Sequence, residues 1–277
     1  MKVDTHQHFW KYNENDYPWM TAEMAALRQE FEPPDLQPLL LECGIDATVA
    51  VQARQSLRET EWLLELAREY HFIKGVVGWV DLRSQQAGAQ LERFASEEKL
   101  CGVRHVIHDE PDDEFMLRRD FLAGISLLAE FDLTYDLLIF PKHLRYASKL
   151  VGMYPAQPFV VDHIAKPSIR TGEIQPWLAG LERLAAFPNV LCKVSGMVTE
   201  ARWNGWQVAD FDVYMDAVFN AFGSSRIMIG SDWPVCTLAG SYTRVVDIAS
   251  NYLARLSVDE QNAVWCTNPK AFYGLSV

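Results

Sequence analysis

Short apolar runs rich in β-branched residues recur along the chain, separated by stretches with helical spacing. The runs are Val3–Phe9, Ala47–Ala53, Ile73–Val80, Gly102–His108, Leu133–Phe140, Phe159–Ile164, Val190–Val194 and Ile227–Ser231. Several are nearly continuous in hydrophobicity, as expected of strands covered on both faces of a parallel sheet. Between them, Pro34–Cys43 stops before Gly44, and Ser56–Tyr70 opens with Ser56 and Glu59 in capping-box spacing. Ser84–Ser96, Asp113–Phe131, Lys142–Met153, Glu173–Phe187, Ala209–Phe222 and Tyr242–Leu253 continue the helical series. Strand followed by helix eight times predicts an α/β fold, a (β/α)8 TIM barrel. An open doubly wound sheet is the competing architecture, but no GxGxxG follows the first strand.

Two segments lie outside the alternation. Lys11–Pro33, with Tyr12, Tyr17, Trp19 and Met20, is a connection of the length that is usually functional or carries its own short helix. Ser257–Leu275 reads as a closing helix, with Ser257 and Glu260 at N-cap and N3 spacing. No repeat, low-complexity tract or linker divides the chain, so residues 1–277 are expected to form a single domain.

Composition narrows the class. With 277 residues, 49% hydrophobic and 22% charged, the chain can bury a large globular core. A net charge of −12 argues against a nucleic-acid partner, and no apolar run approaches the roughly 20 residues that span a membrane. The five cysteines (Cys43, Cys101, Cys192, Cys236, Cys266) are odd in number and lack CxxC spacing. Reduced thiols, no signal-peptide pattern and hence a cytoplasmic location are the expectation.

In a barrel, catalytic groups come from the C-terminal ends of several strands. Strand one ends in His6-Gln7-His8, and residues i and i+2 of a strand share a face, so two imidazoles enter one space. His163 stands at the end of strand six and Asp232 at the end of strand eight. Three histidines and one aspartate can hold a single divalent ion, zinc by donor type, with a position left for water. Taken singly, each has a plainer reading: a hydrogen-bonded core histidine, or an aspartate capping a helix. Trp233-Pro234 rather than a helical pattern follows Asp232, which weakens the cap.

Substrate contacts are expected from Gln52 on strand two, Trp79 on strand three, and Arg104 and His108 at shared parity on strand four. Asp136 within apolar strand five and Trp203 in the aromatic-rich segment 202–206 complete the group. Such donors, acceptors and aromatic walls suit a hydroxylated substrate. Trp79 could instead be core, and Arg104 could pair with Asp136 as a buried bridge. Lys193 shares parity with Ser195, either as a donor to the reacting carbonyl or as an ion pair at the barrel bottom. The aromatic segments 12–20 and 202–206 could form a rim that closes over a bound ring or equally bury a subunit interface, which leaves a homo-oligomer open.

The opening Asp4-Thr5-His6-Gln7-His8-Phe9-Trp10 resembles the start of the amidohydrolase superfamily, in particular its lactonase-like branch. Agreement continues through Gly102-Val103-Arg104, Asp109-Glu110-Pro111, Asp162-His163-Ile164-Ala165-Lys166-Pro167, Lys193-Val194-Ser195-Gly196, Gly230-Ser231-Asp232-Trp233-Pro234 and Asn268–Leu275. Within the branch, Arg104–Pro111 and Ser195–Ala201 are most similar to the sugar-acid lactonases. The resemblance implies a (β/α)8 fold, hydrolysis of an aldonolactone such as L-fucono- or L-rhamnono-lactone, metal histidines at His6 and His8, and the strand-eight aspartate at Asp232. Two-metal members of the superfamily use a bridging lysine and a histidine on strands four and five. Here Leu133–Phe140 has no histidine, which argues against a binuclear site. Metal-free lactonases occur in the branch, so a metal-free mechanism stays open.

The expected reaction is ester hydrolysis. Asp232 takes a proton from water and returns it to the ring oxygen, while a metal, or His163 and Lys193, polarises the carbonyl. The competing enzyme reading is an amidohydrolase-type decarboxylase or a lactonase for a pyrone or aromatic carboxylate. A catalytically silent scaffold would have lost one of His6, His8, His163 or Asp232, and all four are present.

Overall fold

The structure, a computed structural model, describes residues 1–276. Its strands are β1 (Val3–Gln7), β2 (Ala47–Val51), β3 (Ile73–Gly78), β4 (Leu100–His105), β5 (Thr134–Leu137), β6 (Phe159–Val161), β7 (Val190–Val194) and β8 (Ile227–Ile229). They lie in sequence order in one sheet, each parallel to the next. The ring closes just beyond β8. There the Asp232 N–H donates to the His6 carbonyl at 2.8 Å and the His8 N–H to the Trp233 carbonyl at 2.7 Å. The fold is the expected (β/α)8 barrel.

The helices are α1 (Pro33–Cys43), α2 (Leu57–Glu69), α3 (Ala87–Phe94), α4 (Arg119–Leu127), α5 (Leu144–Met153), α6 (Trp177–Ala185), the short α7 (Met197–Glu200), α8 (Ala209–Phe222), α9 (Tyr242–Leu253), α10 (Val258–Asn262) and α11 (Asn268–Tyr273). Strands such as β2 and β6 are buried along their whole length, which is why they read as unbroken apolar runs. Inside the ring, Val3, Val49, Val77, Cys101, Val160 and Met228 form an apolar plug, which Tyr273 and Leu275 close from below. The five cysteines are free. No helix among the described residues is long and apolar enough to cross a membrane.

Several local expectations change. The connection after β1 carries a 3-10 turn over Ala22–Leu27. Ser56 makes no side-chain cap for α2. Instead the Glu59 carboxylate turns back and accepts from the Ala53 and Arg54 amides at 2.7 and 2.9 Å. The capping box at Ser257 and Glu260 does form, but the expected single closing helix breaks into α10, a π turn at Ala263–Thr267 and α11. Strand four ends at His105, so His108 sits in the following 3-10 turn. Strand six ends at Val161, so His163 lies beyond the strand, in a turn of unusual hand.

Candidate active site

Three imidazoles and one carboxylate meet at the C-terminal mouth of the ring. Asp232 Oδ1 lies 3.3 Å from His8 Nε2, 3.8 Å from His163 Nε2 and 4.0 Å from His6 Nε2. Donors held about 2.0–2.1 Å from a tetrahedral ion are separated by roughly 3.3 Å, which the His8–Asp232 spacing matches, and the ligand atoms of His6, His8 and Asp232 all lie within 4.8 Å of one another. Proton placement supports the fit at His8. Its Nδ1–H donates to the Val51 carbonyl at 2.7 Å, an acceptor only, which turns Nε2 toward the Asp232 carboxylate. A ring nitrogen and a carboxylate oxygen 3.3 Å apart call for a cation or a proton between them. At His6 the fit is contested, because the Arg104 Nη1 reaches the same Nε2 at 3.2 Å. His8 and Asp232 face no such competition, and His163 Nε2 stands 3.8 Å from Asp232.

Burial pushes His6 and His163 well below the ordinary histidine range, which keeps both rings neutral. Burial acts on Asp232 in the opposite sense, but His163, His8 and Lys166 favour its charged form and hold it below its ordinary value. Neutral imidazoles and an ionised carboxylate are the states that bind metal.

The segment carrying His163 is strained. His163, Ile164, Ala165 and Lys166 have φ of 52°, 49°, 59° and 50°, a left-handed turn made wholly of non-glycine residues. Each costs about 1–2 kcal/mol relative to the right-handed form. The surroundings impose it: Ile164 and Ala165 are buried, the Trp177 indole N–H donates to the Ile164 carbonyl at 2.7 Å, and the Lys166 N–H closes the turn on the His163 carbonyl at 2.8 Å. Ser195 Oγ lies 2.9 Å from His163 Nδ1 and fixes the ring. Gly196, at φ +61°, makes room for it; a Cβ there would stand 2.6 Å from His163 Nδ1. Gly230 plays the same part for His6, with a virtual Cβ 2.4 Å from the His6 Cβ.

Beneath His6 lies a sealed layer of charge. Lys193 Nζ contacts Asp136 at 2.6 Å, Asp162 at 3.1 Å and His6 Nδ1 at 3.2 Å. Arg104 pairs with Asp162 at 3.0 Å, and the Tyr273 hydroxyl bonds to Asp136 at 2.9 Å. Lys193 and Asp136 are therefore barrel-interior partners that do not line the mouth, and the Arg104–Asp136 bridge is replaced by Arg104–Asp162. Burial opposes the charge on Asp162, yet Lys193, His6 and Arg104 draw its pKa well below the usual range. Gln52 is also off the wall: its Nε2–H donates to the Arg104 carbonyl at 3.3 Å, and its own carbonyl accepts from the guanidinium. Trp79 turns away toward His105, its indole 3.5 Å from Nδ1.

Above these groups opens a cavity of about 600 Å³. His8, His163, Asp232, Arg104, His108 and Trp203 line it, so six expected residues share one space. Trp19, from the aromatic segment 12–20, and Lys166 also face it, while sequence reasoning missed Asp16, Arg54, Asp109, Glu110 and Glu200 on its polar wall and Met24, Val235 and Leu238 on the apolar one. The signals for them were the motifs that hold Asp109-Glu110 and Glu200 and the unusual length of the connection after β1, which holds Asp16 and Met24. The long connection after β1 supplies Asp16, Pro18, Trp19 and Met24, and Asp16 pairs with Arg54 across the rim.

Comparison with known proteins agrees with this geometry. A family model described as Amidohydrolase matches residues 3–275. An L-fucono-1,5-lactonase of Burkholderia multivorans is 39% identical over 99% of this chain and 96% of its own length. A second L-fucono-1,5-lactonase, from Burkholderia ambifaria, is 38% identical over 87% of this chain and 83% of its own. A crystal structure of a Burkholderia multivorans amidohydrolase with bound Zn superposes with a TM-score of 0.93 at 40% identity, covering 100% of both chains. On the match from the first strand to the last helix, the chain belongs to the amidohydrolase family.

Proposed function

We propose that this chain hydrolyses a sugar-acid lactone, with an L-fucono-1,5-lactone-type aldonolactone as the reference substrate. The observation that carries the reading is the convergence of His8, His163 and Asp232 on one solvent-reachable cavity, in a chain 39% identical to a lactonase of that name. His6, His8 and Asp232, whose ligand atoms lie within 4.8 Å of one another, with His163 beside Asp232 as a further donor, would hold one divalent ion, zinc by donor set. Such an ion, when bound, supplies a Lewis acid for the ester carbonyl and lowers the pKa of water.

The chain's own residues do the rest. Asp232, ionised at neutral pH, accepts a proton from the attacking water and returns it to the ring oxygen as the C–O bond breaks. The backbone link from Asp232 N–H to the His6 carbonyl, at 2.8 Å, holds that carboxylate at the ring closure. Arg104 and Gln52 brace each other at the floor, and Trp203, Trp19 and Met24 exclude water from the wall. Lys193 charge-balances Asp136 and Asp162 rather than meeting the substrate.

The cavity lining holds Asp16, Asp109, Glu110, Glu200 and Asp232 against Arg54, Arg104 and Lys166. More carboxylates than cations disfavours the competing reading, a dicarboxylate or aromatic carboxylate substrate. A pH-indicator hydrolysis screen across 1,4- and 1,5-aldonolactones, with and without chelator, tests the reading. Turnover of at least one aldonolactone is expected; inactivity on all of them, with turnover of an aromatic carboxylate, overturns it.

A further inference from the structure

The left-handed turn after β6 delivers two side chains to the cavity, and only one of them belongs to the His and Asp cluster. In a turn of about three residues, positions i and i+3 eclipse, so His163 and Lys166 share a face. Both line the cavity. The Lys166 ammonium contacts Glu200 Oε1, at the end of α7, at 2.5 Å. A partly exposed ion pair contributes too little to repay four residues of left-handed backbone. Strain held in place by buried neighbours at a cavity wall is the mark of a side chain placed for a ligand.

The chemistry of the pair narrows the ligand. An ammonium has three N–H donors, and among the described residues Glu200 is its one hydrogen-bond acceptor. The carboxylate likewise keeps acceptor capacity toward the cavity. Donor and acceptor side by side match a hydroxyl, which both gives and takes a hydrogen bond. A carboxylate on the substrate would meet the cation but be repelled by Glu200, and an apolar group would satisfy neither. Lys166 and Glu200 line the same cavity as Asp232 and His163, and Lys166 leaves the same turn as His163, which sets the pair beside the proposed reaction centre.

We propose that Lys166 and Glu200 form a subsite for the hydroxyl on the carbon adjacent to the lactone carbonyl, making the enzyme selective for α-hydroxylated lactones. The inference rests on the lactonase reading above. Lys166 is here a specificity-determining residue, and Glu200 both binds the hydroxyl and orients the ammonium.

The test is steady-state kinetics of wild type, Lys166→Met, Lys166→Arg and Glu200→Gln on an aldonolactone and its 2-deoxy counterpart. Wild type should prefer the hydroxylated lactone by about 100-fold in kcat/KM, the range for a lost hydrogen bond to a charged group. Lys166→Met should lose about 30–100-fold on the hydroxylated lactone and only several-fold on the 2-deoxy one, so the preference collapses. Lys166→Arg should recover part of it. Should Lys166→Met fail to fold, Glu200→Gln, on a separate element, gives the same readout. Equal losses on both substrates, or an unchanged preference in the variants, overturn the subsite. A wild type inert on every lactone overturns the functional reading itself, a distinguishable result.

Discussion

Asp162 bridges two buried cations, meeting Arg104 at 3.0 Å and Lys193 at 3.1 Å while its other contact, at 3.3 Å, is His6 Nδ1. One carboxylate thus neutralises the layer that supports the first imidazole. Without it, His6 would face a guanidinium at one nitrogen and an ammonium at the other.

Asp162→Asn keeps the shape and removes that charge. Breaking a buried pair from one side typically costs about 3–5 kcal/mol, because the partners stay buried and uncompensated. Urea denaturation should show a loss of that order, and a change under about 1 kcal/mol would mean that Asp136 alone balances the layer.

Asp232→Asn removes the proposed proton acceptor and leaves the fold. General-base loss is worth about 10²–10⁴-fold, so kcat should fall in that range with thermal stability nearly unchanged. Near-normal turnover of the reference lactone would rule out Asp232 as the base.

Zinc added to chelator-treated protein should bind at one ion per chain and raise Tm. At 100-fold excess over Kd the stabilisation is about 2.7 kcal/mol. His8→Ala should weaken the binding at least 10-fold, seen by calorimetry. Two ions per chain, or undiminished binding in His8→Ala, would place the metal elsewhere.

Gly196→Ala puts a methyl within 2.6 Å of the rigid His163 ring at a backbone φ of +61°. Stability should drop by about 1–3 kcal/mol and kcat/KM should fall with it, since the ring must tilt. Gly205→Ala, where nothing lies within 4 Å, is the matched control and should leave both intact.

Acid should unfold the chelated protein early. Burial lowers the pKa of His6, His105, His108, His143 and His163, with His108 pushed down to about 3. Unfolded histidines take up protons below about 6.5, whereas these stay neutral in the fold until lower pH. Their stabilisation is therefore complete above pH 6.5 and is lost as pH falls toward each folded value. Melting curves from pH 8 to 4 should show that decline with proton uptake on unfolding; a flat Tm across the window would contradict it.

Much of this was legible in the residues alone. The barrel could be read because strands buried on both faces leave unbroken apolar runs, and His6, His8, His163 and Asp232 because they sit where those runs end. What escaped was whatever depends on side-chain reach or on the hand of the backbone. Nothing about Ile164 or Ala165 announces a left-handed turn, because neither residue favours it; Trp177 and the surrounding core impose it. Parity aligned Lys193 with Ser195, but it could not tell a cation in the mouth from one sealed under His6. Arg104 does lie opposite Asp136 across β4 and β5, yet its carboxylate partner is Asp162, which lies one strand further on.

His6 and His8 and the proposed base come from opposite ends of the polypeptide, joined where the Asp232 and His8 N–H groups lace the last strand's exit to the first. No fragment missing either end can contain the reaction centre, and contacts this distant in sequence form slowly. Recovery of turnover after dilution from denaturant would then time the final stitching of the ring, lagging behind the return of helical signal.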